Sequence, residues 1–359
     1  MKKSLLALAL IGAFSGAAFA QSSVTVYGIV DAGFQSLDTG AAAGKVSRLQ
    51  SGQESGSRLG FKGTEDLGGG LKANFVLEMG LNVDDGTSGQ GSKAFGRRSL
   101  VGLSGDFGSV DLGRDKTPTF KFFDNFDPYA SGYINNGSGL SNNTLYFVGG
   151  DTANTAGASN GRITNAVLYS TPGNLNGFSA LVGYGMGEVA GDTSAGRSLG
   201  LNLRYNASGL DVGYSYTKDN QQAVVGGPIV GKKANTVAAT YDFGFVKPVV
   251  IYQKVEDDKG VTALDKKVFT VGATVPVDAS SKVIATFTKV KDSTRINTTT
   301  LDTVGDAKQF ALGYQYALSK RTDLYAAYAR LTQDANSKTL ASVNGADVKE
   351  LTFGVRHQF

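Results

Sequence analysis

The chain has no cysteine and no tryptophan, and it contains one histidine and six prolines among 359 residues. Without cysteine, a disulfide framework and a metal site built from cysteine and histidine are both excluded. The single histidine, His357, gives little material for hydrolysis of the Ser-His or Asp-His type, which needs a histidine in a polar site. We therefore expect no enzymatic activity, no cofactor and no metal.

Long apolar runs are also scarce. The run from Leu5 to Phe14 is too short to cross a bilayer, which needs about 20 apolar residues. It follows Lys2 and Lys3 and precedes Ala18-Phe19-Ala20, a cleavage site of the A-x-A type. The pattern predicts a signal peptide over residues 1–20 and a mature, exported barrel domain over residues 21–359.

Charge of one sign is not in large excess. Removing Lys2 and Lys3 from the 35 basic residues leaves 33 against 31 acidic ones, so the predicted mature chain carries 33 − 31 = +2. A nucleic-acid-binding protein would show clustered lysine and arginine and a basic patch. We therefore expect no nucleic acid among the partners.

Glycine and aromatic residues are what the chain has in quantity: 49 Gly, 20 Phe and 15 Tyr. The glycines follow no fixed period, as collagen would require, and disordered chains are poor in aromatics. Glycine and aromatics scattered among short alternating segments are typical of an all-β chain with many tight turns.

Period-two alternation recurs along the chain and predicts strands with one apolar and one polar face. The segment Lys282 to Lys291 alternates poorly. The clearest apolar series are Leu199-Leu201-Leu203-Tyr205, Leu210-Val212-Tyr214-Tyr216, Val237-Ala239-Tyr241-Phe243, Phe269-Val271-Ala273-Val275 and Phe310-Leu312-Tyr314-Tyr316, counted at every second position.

The connections between these segments alternate between short and long, which is typical of outer-membrane barrels with periplasmic turns and extracellular loops. Counting the segments predicts about sixteen strands, a size that leaves an aqueous channel. A soluble sandwich would need a second sheet to cover so many apolar faces. The long connections are roughly Gln35 to Gly56, Asp84 to Gly96, Pro118 to Thr164, Gln221 to Lys233 and Ile296 to Asp306.

The end of the chain supports this prediction. Leu351, Phe353, Val355 and His357 share one face of a last strand that ends on Phe359. Together with a signal peptide and alternating strands, a terminal phenylalanine is typical of the signal read by the barrel assembly machinery, which we expect as a partner.

Several motifs resemble the trimeric general porins of β-proteobacteria over nearly the whole mature chain. They are Ser23-Val24-Thr25-Val26-Tyr27-Gly28-Ile29-Val30-Asp31-Ala32-Gly33, Ser57-Arg58-Leu59-Gly60-Phe61-Lys62-Gly63-Thr64-Glu65-Asp66-Leu67-Gly68-Gly69-Gly70-Leu71, Gly96-Arg97-Arg98-Ser99-Leu100-Val101-Gly102-Leu103, Leu112-Gly113-Arg114 and Gly354-Val355-Arg356-His357-Gln358-Phe359.

The resemblance implies an all-β fold, a 16-stranded antiparallel transmembrane β-barrel whose third loop folds inward. It also implies a homotrimer in the bacterial outer membrane, in contact with lipopolysaccharide and outer-membrane lipid. The function it implies is general diffusion of ions and small hydrophilic solutes.

The pore constriction is the expected functional site. The aromatic stretch Phe120 to Tyr129 suits a loop packed inside a barrel, where Asp124 and Asp127 would present carboxylates to the lumen. We expect basic residues opposite them: Arg58 with Lys62 on the polar face of one strand, then Arg98 and Arg114. Alternation also allows Arg97, rather than Arg98, to be the residue that faces the lumen. It puts Arg114 on the same face as the apolar Leu112. The lumen position of Arg114 therefore rests on the resemblance and on a bulge.

These residues sum to a positive charge, which predicts a weak preference for anions. Three alternatives stay open: arginines that pair with lipopolysaccharide on the extracellular rim, a substrate-specific channel with stacked aromatics, and a closed barrel acting as an adhesin. Single-channel recording with solute competition separates the last two from a general pore.

Overall fold

A computed structural model describes residues 23–130 apart from 41, 43 and 92, then 161–222, 229–257, 262–293 apart from 264, 295–296, 306–335 and 345–359. The predicted signal peptide lies outside these residues. Within the part of the chain that is described, no helix is both long and apolar enough to cross a membrane. The elements are β1 (Ser23–Asp38), β2 (Val46–Ser51), β3 (Arg58–Gly68), β4 (Leu71–Gly80), β5 (Arg98–Gly105), β6 (Gly108–Lys116), α1 (Pro118–Phe126), β7 (Arg162–Ser170), β8 (Phe178–Gly185), β9 (Ser198–Ala207), β10 (Leu210–Gln222), β11 (Ile229–Tyr241), β12 (Lys247–Asp257), β13 (Thr262–Ala263), β14 (Asp265–Pro276), β15 (Ser281–Asp292), β16 (Arg295–Ile296), β17 (Ala307–Ala317), β18 (Thr322–Gln333) and β19 (Val348–Gln358).

The sheet closes on itself as an antiparallel barrel. Long strands that follow one another in the chain are paired side by side, and β1 pairs with β19 from Ile29↔Gln358 to Asp38↔Lys349. Setting aside the short strand β2 and the two-residue strands β13 and β16, which pair only with each other, sixteen strands form the wall. The predicted all-β fold and strand number are confirmed.

The first and last strands, β1 and β19, close the barrel. The backbone N–H of Phe359 donates to the carbonyl of Gly28, and the N–H of Gly28 donates to the carbonyl of Phe359, both at 3.1 Å. A side chain at Gly28 would collide with the Phe359 ring. The terminal aromatic is therefore built into the seam, and its role as an assembly signal stays a prediction.

The outer surface of the wall is apolar. On β17, Phe310, Leu312 and Tyr314 are 47, 45 and 43 % exposed, whereas the alternating residues Gln309 and Ala311 are buried. In water such a surface would be covered by a second sheet; in a membrane barrel it faces lipid. The alternation in the sequence therefore records lipid-facing and interior positions.

Four of the predicted long connections contain regular structure; β10 ends at Gln222 and β11 begins at Ile229 within the connection from Gln221 to Lys233, and Ile296 belongs to β16. The prediction of a loop from Gln35 to Gly56 was wrong, because β1 continues to Asp38. The last residues of β1 pair with β2, from Ala32↔Ser51 to Leu37↔Val46. The lower part of the same β1 edge pairs with β3, from Ser23↔Thr64 to Ile29↔Arg58. Residues 52–57 leave the wall between these two pairings.

The connection from Pro118 to Thr164 likewise contains α1 at its start and the first residues of β7 at its end. Only the first of these elements has a clear sign in the sequence. Thr117-Pro118 is a helix start, with a capping hydroxyl followed by proline in the first helical position, whereas the start of β7 carries no such sign.

Candidate functional site

Helix α1 follows directly from the wall. The Thr117 side chain accepts the backbone N–H of Phe120 at 3.1 Å, and Pro118 occupies the first turn, where its missing N–H costs nothing. At the other end, the N–H of Asp127 donates to the carbonyl of Phe123 at 2.8 Å. Between these caps the helix buries Phe122, Phe123 and Phe126 almost completely.

The helix lies against the polar face of β9 and β10. A Cβ atom at Gly213 would come within 2.7 Å of the Phe122 ring and 2.9 Å of the Phe126 ring, so only glycine leaves room for the helix there. The amide of Asn202 donates to the carbonyl of Pro118 at 2.5 Å. These contacts lie on the face opposite to the exposed Leu199 and Leu203.

Tyr129 extends this segment to the other side of the barrel. Its hydroxyl donates to the carbonyl of Ile284 on β15 at 3.1 Å. Burial raises the pKa of the Tyr129 phenol, so the hydroxyl keeps its proton for this bond. The helix thus contacts the wall at β9 and β10, and Tyr129 contacts it at β15. The start of the third long connection therefore crosses the interior of the barrel.

Five arginines on neighbouring strands or at their ends line the wall beside the helix. We call Arg58, Arg97, Arg98, Arg114 and Arg162 the inner arginine cluster. The Arg97 Nε donates to Glu78 at 2.7 Å, and Arg98 makes two bonds to the Asp115 carboxylate, at 2.9 and 3.1 Å. Arg97 and Arg98 are thus each held by a carboxylate of the wall.

The helix contributes charges to the same place. Lys121 lies 2.8 Å from Asp115, which it shares with Arg98. Asp124 lies 2.5 Å from the Lys116 ammonium on β6. The ion pairs Lys121–Asp115 and Lys116–Asp124 therefore tie α1 to the end of β6.

Arg58 and Arg162 are fixed in other ways. The Arg58 Nε donates to the carbonyl of Gly56 at 2.8 Å, and its electrostatic neighbours include Arg97, Glu78 and Asp124. The Arg162 guanidinium stacks at 5.2 Å from the centre of the Phe120 ring. Its electrostatic neighbours include Arg97 and Arg114, so the arginines approach one another despite their like charge.

Arg114 sits at an irregularity of the sheet. The register between β6 and β7 shifts between Gly113 and Asp115, and Gly113 has φ +131°. The Arg114 Nε donates to the carbonyl of Gly96 at 2.7 Å. The alternation required a bulge to bring Arg114 to the interior, and this irregularity lies at that position.

The remaining predicted residues lie further apart. The Lys62 ammonium is 5.3 Å from the centre of the Tyr27 ring. Asp127 is buried, and its carboxylate accepts the backbone N–H of Tyr129 at 3.1 Å. Asp124 thus forms an ion pair with the wall, whereas Asp127 stabilises the turn that follows the helix.

Sequence reasoning missed several members of the site: Glu78, Asp115, Lys116, Lys121 and Arg162. Glu78 could have been found, because Phe75, Leu77 and Met79 face outward and leave Glu78 on the polar face. Arg162 was hidden inside a connection taken for a loop. Asp115 follows the bulge, where alternation no longer assigns a face.

A second interior group lies on the wall of β1, β18 and β19. Residues 52–57 bring Glu54 to Arg356, at 3.3 Å, and Arg356 also contacts Asp323 at 2.7 Å. The Tyr325 hydroxyl donates to Asp31 at 2.6 Å, and Asp31 also accepts the N–H of Glu54. This group has more carboxylates than cations, unlike the inner arginine cluster.

Comparison with known proteins agrees with this architecture. The family model of Gram-negative porins matches residues 7–336. Outer membrane porin protein 32 of Delftia acidovorans is 35 % identical over the full length of both chains, and an outer membrane porin of Bordetella pertussis is 32 % identical, again over both full lengths.

Solved structures agree as well. An anion-selective porin from Comamonas acidovorans superposes with a TM-score of 0.78 at 32 % identity, covering 94 % of this chain and 100 % of that one. An outer membrane protein of Vibrio cholerae, at 17 % identity and a TM-score of 0.69, shares the fold. The barrel, its lipid-facing surface and these similarities show that the chain belongs to the Gram-negative porin family and forms a channel in the outer membrane.

Proposed function

We propose that α1 and the inner arginine cluster form the constriction of a general diffusion pore with a weak preference for anions. The observation that carries the proposal is the excess of cations over carboxylates where the helix meets the wall. On that side we count Arg58, Arg97, Arg98, Arg114, Lys116, Lys121 and Arg162 against Glu78, Asp111, Asp115 and Asp124, or 7 − 4 = +3.

The opposite wall reduces this sum and does not reverse it. Arg356 and Lys282 stand against Asp31, Glu54 and Asp323, or 2 − 3 = −1, and Asp31 and Glu54 are almost fully buried. The two walls together give +3 − 1 = +2. Anions therefore meet a mildly favourable potential and cations a mildly unfavourable one.

The two walls also produce a transverse field. Positive charge on one side and negative charge on the other, between walls of low dielectric constant, focus the potential across the gap. Ions and dipolar solutes align in this field and pass. Long apolar molecules must cross a polar gap in which they make no favourable contacts, so they are disfavoured.

The similar porin from Comamonas acidovorans is anion-selective, which supports the same preference here. The test is the reversal potential of single channels in planar bilayers under a tenfold KCl gradient. We expect a potential displaced toward that of chloride and a flux of small sugars that does not saturate. A cation-selective potential would refute the preference, and saturable flux for one solute would identify a substrate-specific channel instead.

Maturation and assembly belong to the same proposal. We expect the mature chain to begin at Gln21, because Ala18-Phe19-Ala20 precedes it; N-terminal sequencing of protein from outer membranes checks this. We expect Phe359 to be read by the barrel assembly machinery.

We also expect a homotrimer, since the exposed apolar wall offers a large surface for a second copy. Native mass spectrometry in detergent should give three chains per particle. A monomer at all concentrations would contradict this.

A further inference from the structure

Residues 52–57 leave the wall and carry Glu54 into the interior of the barrel. Asp31 holds this segment in place: its carboxylate accepts the backbone N–H of Glu54 at 2.9 Å and that of Ser55 at 2.6 Å. The Tyr325 hydroxyl donates to the other oxygen of Asp31 at 2.6 Å. The backbone of Glu54 is therefore fixed relative to β1 and β18.

The side chain of Glu54 shares its donors with Asp323 on β18. The Arg356 guanidinium lies 3.3 Å from Glu54 and 2.7 Å from Asp323. The Gln315 amide donates to Glu54 as well, and it also bonds with Asp323. The two carboxyl groups therefore lie side by side, and together with Asp31 we call them the opposite acidic cluster.

One oxygen of each of these two carboxyl groups has no donor. Glu54 Oε2 and Asp323 Oδ1 are buried, and no residue in the described part of the chain donates a hydrogen bond to either atom. The two side chains are nevertheless within hydrogen-bonding distance of each other. A carboxylate can only accept, whereas a protonated carboxyl group also donates. One proton between Glu54 and Asp323 therefore gives both oxygens a partner.

The surroundings of the pair place the proton on Glu54. Asp323 Oδ2 accepts the Nε and Nη2 of Arg356 at 3.0 and 2.7 Å, and such bonds stabilise a negative charge. Glu54 is 4 % exposed and has only the longer contact with the same guanidinium. Burial raises the pKa of the Glu54 carboxyl to about 9, and the bond with Asp323 acts in the same direction.

The titratable groups around Glu54 come from four strands: Asp31 from β1, Lys282 from β15, Asp323 and Tyr325 from β18, and Arg356 from β19. Among them two cations face two carboxylates. An ionised Glu54 would be a third carboxylate, whereas a protonated one leaves this wall with 2 − 2 = 0.

We infer that Glu54 is a protonated carboxyl group that donates to Asp323, and that loss of this proton weakens the anion preference of the pore. The effect on ions rests on the proposed constriction; the proton itself does not. With Glu54 protonated, the two walls sum to +3 + 0 = +3, and ionisation lowers the sum to +3 − 1 = +2. The anion preference should therefore fall as the pH rises past about 9.

The first test is the infrared spectrum of the detergent-purified protein at pH 7. The wild type should show the C=O stretch of a protonated carboxyl group, and Glu54→Gln should lose it. The matched control, Asp85→Asn, removes an exposed carboxylate and should leave the band unchanged. A wild type without the band, or a band that Glu54→Gln does not reduce, would overturn the inference.

The second test is the reversal potential in a KCl gradient at low salt. At pH 7 Glu54→Gln should match the wild type, because the glutamine amide donates to Asp323 as the protonated carboxyl group does. At pH 10 the variant should have a roughly twofold higher anion-to-cation permeability ratio than the wild type, as for a unit charge at about 8 Å with screening at about 0.1 M salt. Lysines that titrate in this range are present in both proteins, so the difference between the two reports on Glu54.

Two outcomes of this recording would count against the inference. A ratio already raised by Glu54→Gln at pH 7 would show that Glu54 is ionised there. If Arg58→Ser shifts the potential and Glu54→Gln at pH 10 does not, the inference fails while the proposed constriction stands.

Folding of the variant is checked by thermal unfolding in detergent. Wild-type Glu54 takes up a proton on folding once the pH exceeds the usual pKa of a glutamate, so its contribution to stability is complete below that value and is lost as the pH rises toward about 9. Glu54→Gln should therefore unfold at the wild-type temperature at pH 4 and at a higher one at pH 9. If the variant does not fold, the infrared band of the wild type should be present at pH 7 and lost at pH 10, and a band that persists unchanged would overturn the inference.

Discussion

The inner arginine cluster and the opposite acidic cluster carry charge of opposite sign on two sides of one lumen, and they differ in what neutralises it. Arg98 contacts a carboxylate of the chain, Asp115. Glu54 and Asp323 share one guanidinium, that of Arg356, and one proton. The charge of the arginines is therefore fixed, whereas the charge of the acidic cluster depends on pH.

The choice of side chain follows the same division. Arginine presents a planar fork of donors that fits a carboxylate with two bonds, as Arg98 does with Asp115. It also keeps its charge at every pH at which the protein is folded. A carboxyl group can gain a proton and then donate a hydrogen bond, so two of them can lie in contact where two ionised ones would repel.

The largest expected effect comes from removing a carboxylate that holds the inner charges. Asp115→Asn leaves Arg98 and Lys121 without their shared partner, which is 2 % exposed. Because bonds to charged groups each contribute roughly 1.5–3 kcal/mol, we expect unfolding to become easier by about 2 kcal/mol. Thermal and urea unfolding in detergent, followed by circular dichroism, measures this.

The control for this change is Asp85→Asn in an exposed connection, where the carboxylate bonds only to Thr87 among the contacts of the described chain. It should unfold as the wild type does. If Asp115→Asn were equally harmless, the inner cations would not depend on a carboxylate of the chain, and the contrast with the opposite acidic cluster would fail.

A smaller effect is expected from removing one inner cation. Arg58→Ser should lower the anion-to-cation permeability ratio roughly twofold at 0.1 M salt, because a unit charge at about 8 Å in water is worth about 0.5 kcal/mol, with opposite sign for anion and cation, and screening reduces this by about half. Conductance should rise slightly, since the gap widens. The reversal potential in a KCl gradient measures the ratio.

Salt provides an internal check on this result. The Debye length falls from about 10 Å at 0.1 M to about 3 Å at 1 M, so both the wild-type preference and the effect of Arg58→Ser should fade over that range. An unchanged reversal potential at low salt would mean that Arg58 does not lie at the constriction.

The smallest effect is expected from Glu54→Gln at pH 7. It should leave the reversal potential and the single-channel conductance as they are, because the carboxyl group that it replaces carries no charge at that pH. The measurement is the same bilayer recording. A shift as large as that of Arg58→Ser would show that the opposite acidic cluster is ionised as fully as the inner arginine cluster.

The poor alternation of Lys282 to Lys291 shows how much a pattern can hold. The segment forms β15, and its inward residues are Ile284, Thr286, Thr288 and Val290. The pattern fails because outward Phe287 gives way to outward Lys289 while inward Thr288 gives way to inward Val290, so the two faces exchange their polarity along the strand. The pairing with β14 and β17, and not the pattern, places the segment in the wall.

The sequence by itself determined the strands, their number, their lipid-facing side and the polar face of Arg58, because alternation is a local property of an extended chain. It could not determine which charges meet. Asp115 joins Arg98 through a bulge in β6, Lys121 arrives on a helix, and Arg162 comes from the far side of a long connection. The pairing of β5, β6 and β7 and the packing of α1 against the wall bring these residues together, because ion pairs depend on distances in space between segments that the sequence keeps apart.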